Sequence, residues 1–167
     1  MRLVEPAQEW EKEHRAYVEE WGLTRMIPSS FDLTGHDTYG AYLKARTLRQ
    51  SGHGNRVPSS NYFLINDENR IVAMVDIRHE LNSFLLNVGG HIGYSVRPSE
   101  RRKGYATRML HEALGVCKDL KIKRVLVTCD EDNIGSAKTI VNNGGLEDNS
   151  FIDEDDTLKR RFWINND

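Results

Sequence analysis

The sequence predicts a mixed α/β sheet built as one domain over residues 1–167. Three observations carry that prediction. Residues 62–80 pair an apolar run with an alternating one across the turn Asn66-Asp67-Glu68-Asn69. The second half reads strand, helix, strand, helix. A chain of 167 residues leaves little room for a second independent core. At that size roughly 70% of the unfolded surface can be buried, so no covalent staple is needed.

The N-terminal third reads as helical. Trp10, His14, Val18 and Trp21 recur at spacings of three and four among Glu9, Glu11, Glu13, Glu19 and Glu20, and Gly22 supplies a stop. A second helix is expected over about residues 37–50, ended by Gly52-His53-Gly54-Asn55. The strand at 62–65 then returns over 70–80. There Ile71, Ala73, Val75 and Ile77 alternate with Val72, Met74, Asp76 and Arg78, as in a sheet with one wetter face. Residues 81–90 read as a short helix or an irregular link. A strand at 91–97 precedes a helix at 104–120, buried through Met109, Leu110, Ala113, Leu114 and Cys117. Residues 124–128 are apolar enough for an interior strand. The helix at 133–143 should turn Ile134, Ala137, Ile140 and Val141 inward and stop at Gly144-Gly145. A closing hairpin buries Leu158, Phe162 and Ile164.

Composition narrows the function. Lys plus Arg is 23 and Asp plus Glu is 25, a formal net charge of −2, which argues against a general nucleic-acid binder. No apolar run approaches the ~20 residues of a membrane helix, and Met1-Arg2-Leu3-Val4-Glu5 lacks a signal-peptide core. Cys117 and Cys129 have no metal-ligand spacing and read as buried thiols of a reducing compartment. A cytoplasmic protein without bound metal, nucleic acid or membrane is expected. Charge is nevertheless uneven. Arg97, Arg101, Arg102, Lys103 and Arg108 cluster, whereas the six acids between Glu147 and Asp156 read as a solvated loop.

The basic cluster holds the informative stretch. A strand ending Val96-Arg97 meets Pro98, and a Gly-containing basic loop opens into an amphipathic helix. Free N–H groups at a helix start, with the macrodipole behind them, make an anion site. Gly104 lets a ligand approach the backbone, and Ala106 keeps the first turn slim. Arg101, Arg102 and Lys103 oppose the dipole, so their placement suggests an anion that they serve. Other chemistries fail on spacing. There is no G-x-x-x-x-G-K-[ST]. His111-Glu112 begins a zinc signature that Gly115 breaks, and no nucleophile elbow occurs.

Arg101-x-x-Gly104-x-Ala106, after Val96-Arg97-Pro98 and leading a helix, resembles the acetyl-CoA signature [RQ]-x-x-G-x-[GA] of the GCN5-related N-acetyltransferases (GNAT). Asn133-x-x-Ser136 and the Gly144-Gly145 stop resemble the second motif of that family. The order of elements matches the family over nearly the whole chain. The resemblance implies a mostly antiparallel sheet with splayed central strands and helices on both faces. It also implies acetyl transfer from acetyl-CoA, a co-substrate used without metal, to an amine of a small molecule or peptide. The amides from Arg102 through Thr107, with Lys103, Tyr105 and Ala106 among them, would hold the pyrophosphate. The backbone near Val96 would pair with the pantetheine arm, and Asn133 and Ser136 would reach it. Asn133 reads equally well as a helix N-cap.

Two departures stand out. The tyrosine that the family often carries seven residues after the Asn is here Ile140, and the helix ends Gly-Gly rather than Gly-Phe. Tyr94 and Tyr105 are the alternative acids, unless they are packing or cofactor-lining rings. Candidate bases are His91 and Glu80, although His91 reads first as an ordinary strand-end histidine. A non-catalytic acyl-CoA-binding sensor is the rival class, and a nucleotide-binding module a weaker one. Either a monomer or a homodimer is compatible with the sequence.

Overall fold

A computed structural model describes all 167 residues. Four strands form the first antiparallel sheet in the order β1 (Arg2–Val4), β2 (Ser59–Ile65), β3 (Ile71–Arg78) and β4 (Ile92–Val96). The second sheet places β7 (Leu158–Asn165) between β5 (Arg124–Asp130) and β6 (Gly145–Ile152), again antiparallel.

Helices lie on both faces. α3 (Tyr105–Asp119) buries the apolar stripe Met109, Leu110, Ala113 and Cys117 in a core that also takes Val75, Val127 and Phe162 from both sheets. α4 (Ile134–Asn142) packs beside it through Ala137 and Ile140. Across the first sheet, α1 (Glu11–Glu19) and α2 (Tyr39–Gln50) cover a second cluster that includes Tyr17, Phe31, Phe63 and Met74. Thr38 caps α2, its Oγ1 accepting from the Ala41 N–H at 3.1 Å. No helix is long and apolar enough to cross a membrane.

Several expectations need correcting. β3 has no wetter face before Arg78, because helices cover both of its sides. β1 is too short, at three residues, for its period to show. The acidic stretch is only partly a loop. Residues 147–152 belong to the edge strand β6, where Glu147 meets Arg160 through two bonds of 2.7 and 2.8 Å. On α4, Ile134 and Val141 point outward while Thr139 is buried. Residues seven apart share a face, and the buried stripe runs through Ala137 and Ile140 instead. The 81–90 link contains a turn of π-helix over Leu85–Gly89.

β4 and β5 are hydrogen-bonded to each other only through His91, just ahead of β4. The His91 N–H donates to Leu126 O at 2.7 Å, and the Leu126 N–H donates to His91 Nδ1 at 2.9 Å. Beyond that clasp the strands belong to different sheets and leave a gap between Ile92–Val96 and the end of β5. This is the splay that the resemblance implied.

Candidate functional site

The gap has a defined backbone lining. Arg97 N–H donates to Val72 O at 2.9 Å and Arg78 N–H to His91 O at 2.7 Å. In an antiparallel ladder those two bonds fix the alternation. Ser95 and Gly93 therefore bond toward β3, while Ile92, Tyr94 and Val96 turn their N–H and C=O groups toward the gap.

At its far end the chain passes through a 3₁₀ turn at Pro98–Glu100 and enters α3 at Gly104. Gly104 has φ +82°, a left-handed value that favours glycine, and an ideal Cβ there would meet nothing within 4 Å. None of the six successive N–H groups from Arg102 to Thr107 finds an acceptor within the chain; the first bond back is Arg108 N–H to Gly104 O at 3.1 Å. Six unpaired donors at a helix start can hold an anion.

The cations around it divide into two kinds. Lys103 pairs with Glu100 at 2.8 Å, and Arg108 with Glu112 at 2.5 Å. Arg97 is buried beneath α1, bonded to Glu20 at 2.6 Å, to Glu13 at 2.9 Å and to Ile71 O at 3.2 Å. It anchors the loop rather than facing a ligand. Arg101 stacks its guanidinium 5.3 Å from the Trp21 ring centre, and Arg102 is exposed; neither has a carboxylate partner. The field that sequence assigned to a row of cations thus comes chiefly from backbone dipoles and these two arginines.

Two cavities run through this region. One, of about 580 Å³, is bordered by Val96, Arg101, Arg102, Gly104 and the first turn of α3. The other, of about 360 Å³, lies between Ile92–Tyr94 and Thr128–Asp130. Tyr94, Asn133, Ser136 and Ile27 border both, so the two spaces adjoin. Tyr94 and Ser136 share a hydroxyl hydrogen bond of 2.8 Å, and burial raises the Tyr94 pKa. Asn133 is a cap: its Oδ1 accepts the Ser136 N–H at 3.0 Å, yet it still borders both cavities.

The two candidate bases lie elsewhere. His91 is 6% exposed, its Nδ1 is filled by the Leu126 N–H, and burial, then the nearby Arg78 charge, lower its pKa to about 4. A ring in that state holds the strands together. Glu80 is exposed just past β3 and borders neither cavity. Sequence reasoning passed over Asp130 and Arg78, because a charge at a strand end carries no periodic signal. Ile140, at the family's tyrosine position, is in the core and borders neither cavity.

The profile of the acetyltransferase (GNAT) family matches residues 24–140. The chain belongs to that family. By family it is an acetyltransferase. Among solved structures, the GNAT chain resembles a point mutant of the spermidine N-acetyltransferase from Vibrio cholerae (TM-score 0.70, 12% identity, 99% of this chain and 95% of that one). It also resembles a candidate phosphinothricin N-acetyltransferase (TM-score 0.62, 17% identity, 98% and 97%). A GNAT-family acetyltransferase from Bacillus anthracis matches over less (TM-score 0.53, 22% identity, 64% and 66%). No curated protein sequence matches the chain.

Proposed function

We propose that this GNAT domain, residues 1–167, is an acetyl-CoA-dependent N-acetyltransferase that moves an acetyl group to an amine by direct attack in a ternary complex. The observation that carries the reading is the row of unpaired N–H donors from Arg102 to Thr107, opening onto the splayed strands. Those donors fit a pyrophosphate, with Arg101 and Arg102 adding charge. The gap-facing groups of Tyr94 and Val96 fit an amide-bearing arm laid along β4 as an added strand. Asn133 and Ser136 face its inner end. When bound, acetyl-CoA supplies an activated thioester carbonyl.

The rest is the work of the chain. The Tyr94 N–H is the donor best placed to stabilise an oxyanion in the gap. An amine with pKa near ~10 must lose a proton before it attacks. Glu80 can accept that proton only through intervening water, and we read His91 as the residue that sets the width of the gap. The family relation and the relatives' acceptors, spermidine and phosphinothricin, support an amine acceptor, a small molecule or a peptide. We expect the enzyme to act in the cytoplasm as a monomer or homodimer.

Acetyl-CoA should raise the melting temperature because it binds only the folded state. Free thiol should then appear on addition of an acceptor amine. A melting shift without turnover on any amine would instead support an acyl-CoA-binding sensor. Absence of the shift would remove both readings.

A further inference from the structure

Beyond the central cavity lies a third space, of about 560 Å³, between the end of α2, the 55–57 loop, β3 and the link before β4. Ser29 and Arg78 border both it and the central cavity, so the two spaces adjoin. Its charge is one-sided. Arg49, Arg56 and Arg78 border it, and Asp76 is the one carboxylate. Asp76 is already engaged: Oδ1 accepts from Asn61 Nδ2 at 2.9 Å, and Oδ2 pairs with Arg78 Nε at 2.9 Å.

Arg78 is held in place. It donates to Gly89 O at 3.0 Å, and its guanidinium lies over Gly93, where a Cβ would come within 3.2 Å of it. Arg49 and Arg56 have no carboxylate partner; Arg49 donates to Ser30 O at 3.1 Å. The central cavity adds Arg25, which has no carboxylate partner, whereas its Lys159 and Asp130 pair with each other and Lys159 also meets Asp153 at 3.3 Å. This excess of cations sits in a chain whose formal net charge is −2.

We propose that this third cavity is the acceptor subsite, and that the acceptor is a small amine carrying a carboxylate, of the amino-acid class, held by Arg49 and Arg56. The inference rests on the acetyl-transfer reading above. A bare ammonium entering a space lined by unpaired guanidinium groups meets like charge and no free carboxylate. A carboxylate there receives charge-assisted hydrogen bonds from a planar fork that matches it. The same cations disfavour the protonated amine, which increases the share able to attack. In the transfer the amine nitrogen forms the new N–C bond and the C–S bond breaks with its electron pair going to sulfur. The proton lost from nitrogen goes to water, and the thiolate takes one from the Tyr94 hydroxyl, which water then reprotonates, so charge and atoms balance.

The test screens the whole chain, with acetyl-CoA, against all twenty protein amino acids, the amines left by decarboxylating leucine, methionine, phenylalanine and glutamine, and 1,4-diaminobutane. At least one amino acid should be acetylated with kcat/KM about tenfold or more above its decarboxylated counterpart and above the diamine. R56Q and R49Q should each raise KM for that amino acid about tenfold while KM for acetyl-CoA stays within about twofold. R49K, which keeps a charge, should lose less. A melting shift with acetyl-CoA checks that each variant is folded. If that shift is present and the amines lacking carboxylate are preferred, or no amino acid is acetylated, the acceptor assignment is overturned while coenzyme binding stands. If the shift is absent in the unaltered chain, the transferase reading falls first and this inference with it.

Discussion

The phenol oxygen of Tyr94 and Oγ of Ser136 stand 2.8 Å apart where two adjoining cavities meet. One residue comes from β4 and the other from the first turn of α4, so the bond spans the mouth of the gap. Burial keeps the phenol protonated across the working range. A protonated hydroxyl at that place is a proton source for a departing thiolate. Tyr94→Phe should lower kcat about tenfold or less, because a thiol of pKa near ~8.5 is a good leaving group. KM for acetyl-CoA should hardly change. Steady-state kinetics decide it: an unaltered kcat would show that water alone protonates the thiolate.

Gly104→Glu should abolish stabilisation by acetyl-CoA. Any side chain at φ +82° costs about 1–2 kcal/mol of folding stability, but there is space for a Cβ. Gly104→Ala bears that same strain and serves as the control. At a ligand concentration of about 100 Kd the native chain should gain about 2.7 kcal/mol, and Gly104→Ala should keep much of it. Equal melting shifts in both variants would remove the anion-site argument.

The fold was legible where two signals coincided. α3 shows both an apolar stripe and a glycine start, and β2–β3 show an apolar run and a turn. Where one signal stood alone the reading slipped. The acids of 147–152 read as solvated, but an edge strand is solvated too, and Arg160 and Arg161 opposite them sit further along the chain. The glycine loop of the site was legible because local chain geometry makes it. The role of its neighbours was not, since Arg97 turns inward only because Glu13 and Glu20, on α1, are there to meet it. His91 looked like a base by residue type alone, and only the approach of Leu126 shows its Nδ1 to be occupied. The cations of the third cavity come from α2, a loop and β3, so no window of sequence contains them together.

Acid should begin to destabilise the fold near the ordinary histidine pKa. His14 is fully buried, with Nε2 2.8 Å from Phe31 O and Nδ1 3.1 Å from the Tyr39 hydroxyl, and burial lowers its pKa to about 4. His91 is lowered to about 4 as well. Above the ordinary histidine value near 6.5 neither state binds these protons, and stability is full. Between there and about pH 4 the unfolded chain takes protons that the folded chain refuses, so stability falls with pH. The His14 share is about 3 kcal/mol by the bottom of that window. Urea unfolding at several pH values between about 7.5 and 4.5 measures it, and His14→Gln should flatten the slope. A pH-independent midpoint would contradict the burial argument.

Ile140→Tyr should destabilise the protein and leave turnover unchanged or lower. Ile140 is fully buried, and its Cγ2 lies 2.5 Å from where a Cβ on Gly145 would stand. The groove is met instead by Ser136 and Thr139, one face of α4 away. A tyrosine at 140 would press its ring into a closed core, costing about 1–3 kcal/mol, and would strand a hydroxyl there at a similar cost. For a chain of this length each kcal/mol moves the melting temperature by about 2–4 °C, so a fall of roughly 5–20 °C is expected. The hydroxyl would gain no path to a thiolate in the gap. A melting scan and kcat, each in H₂O and D₂O, give the readout. A higher kcat with a solvent isotope effect absent from the unaltered chain would mean that a side chain at 140 does reach the gap, and that the proton normally has no good source.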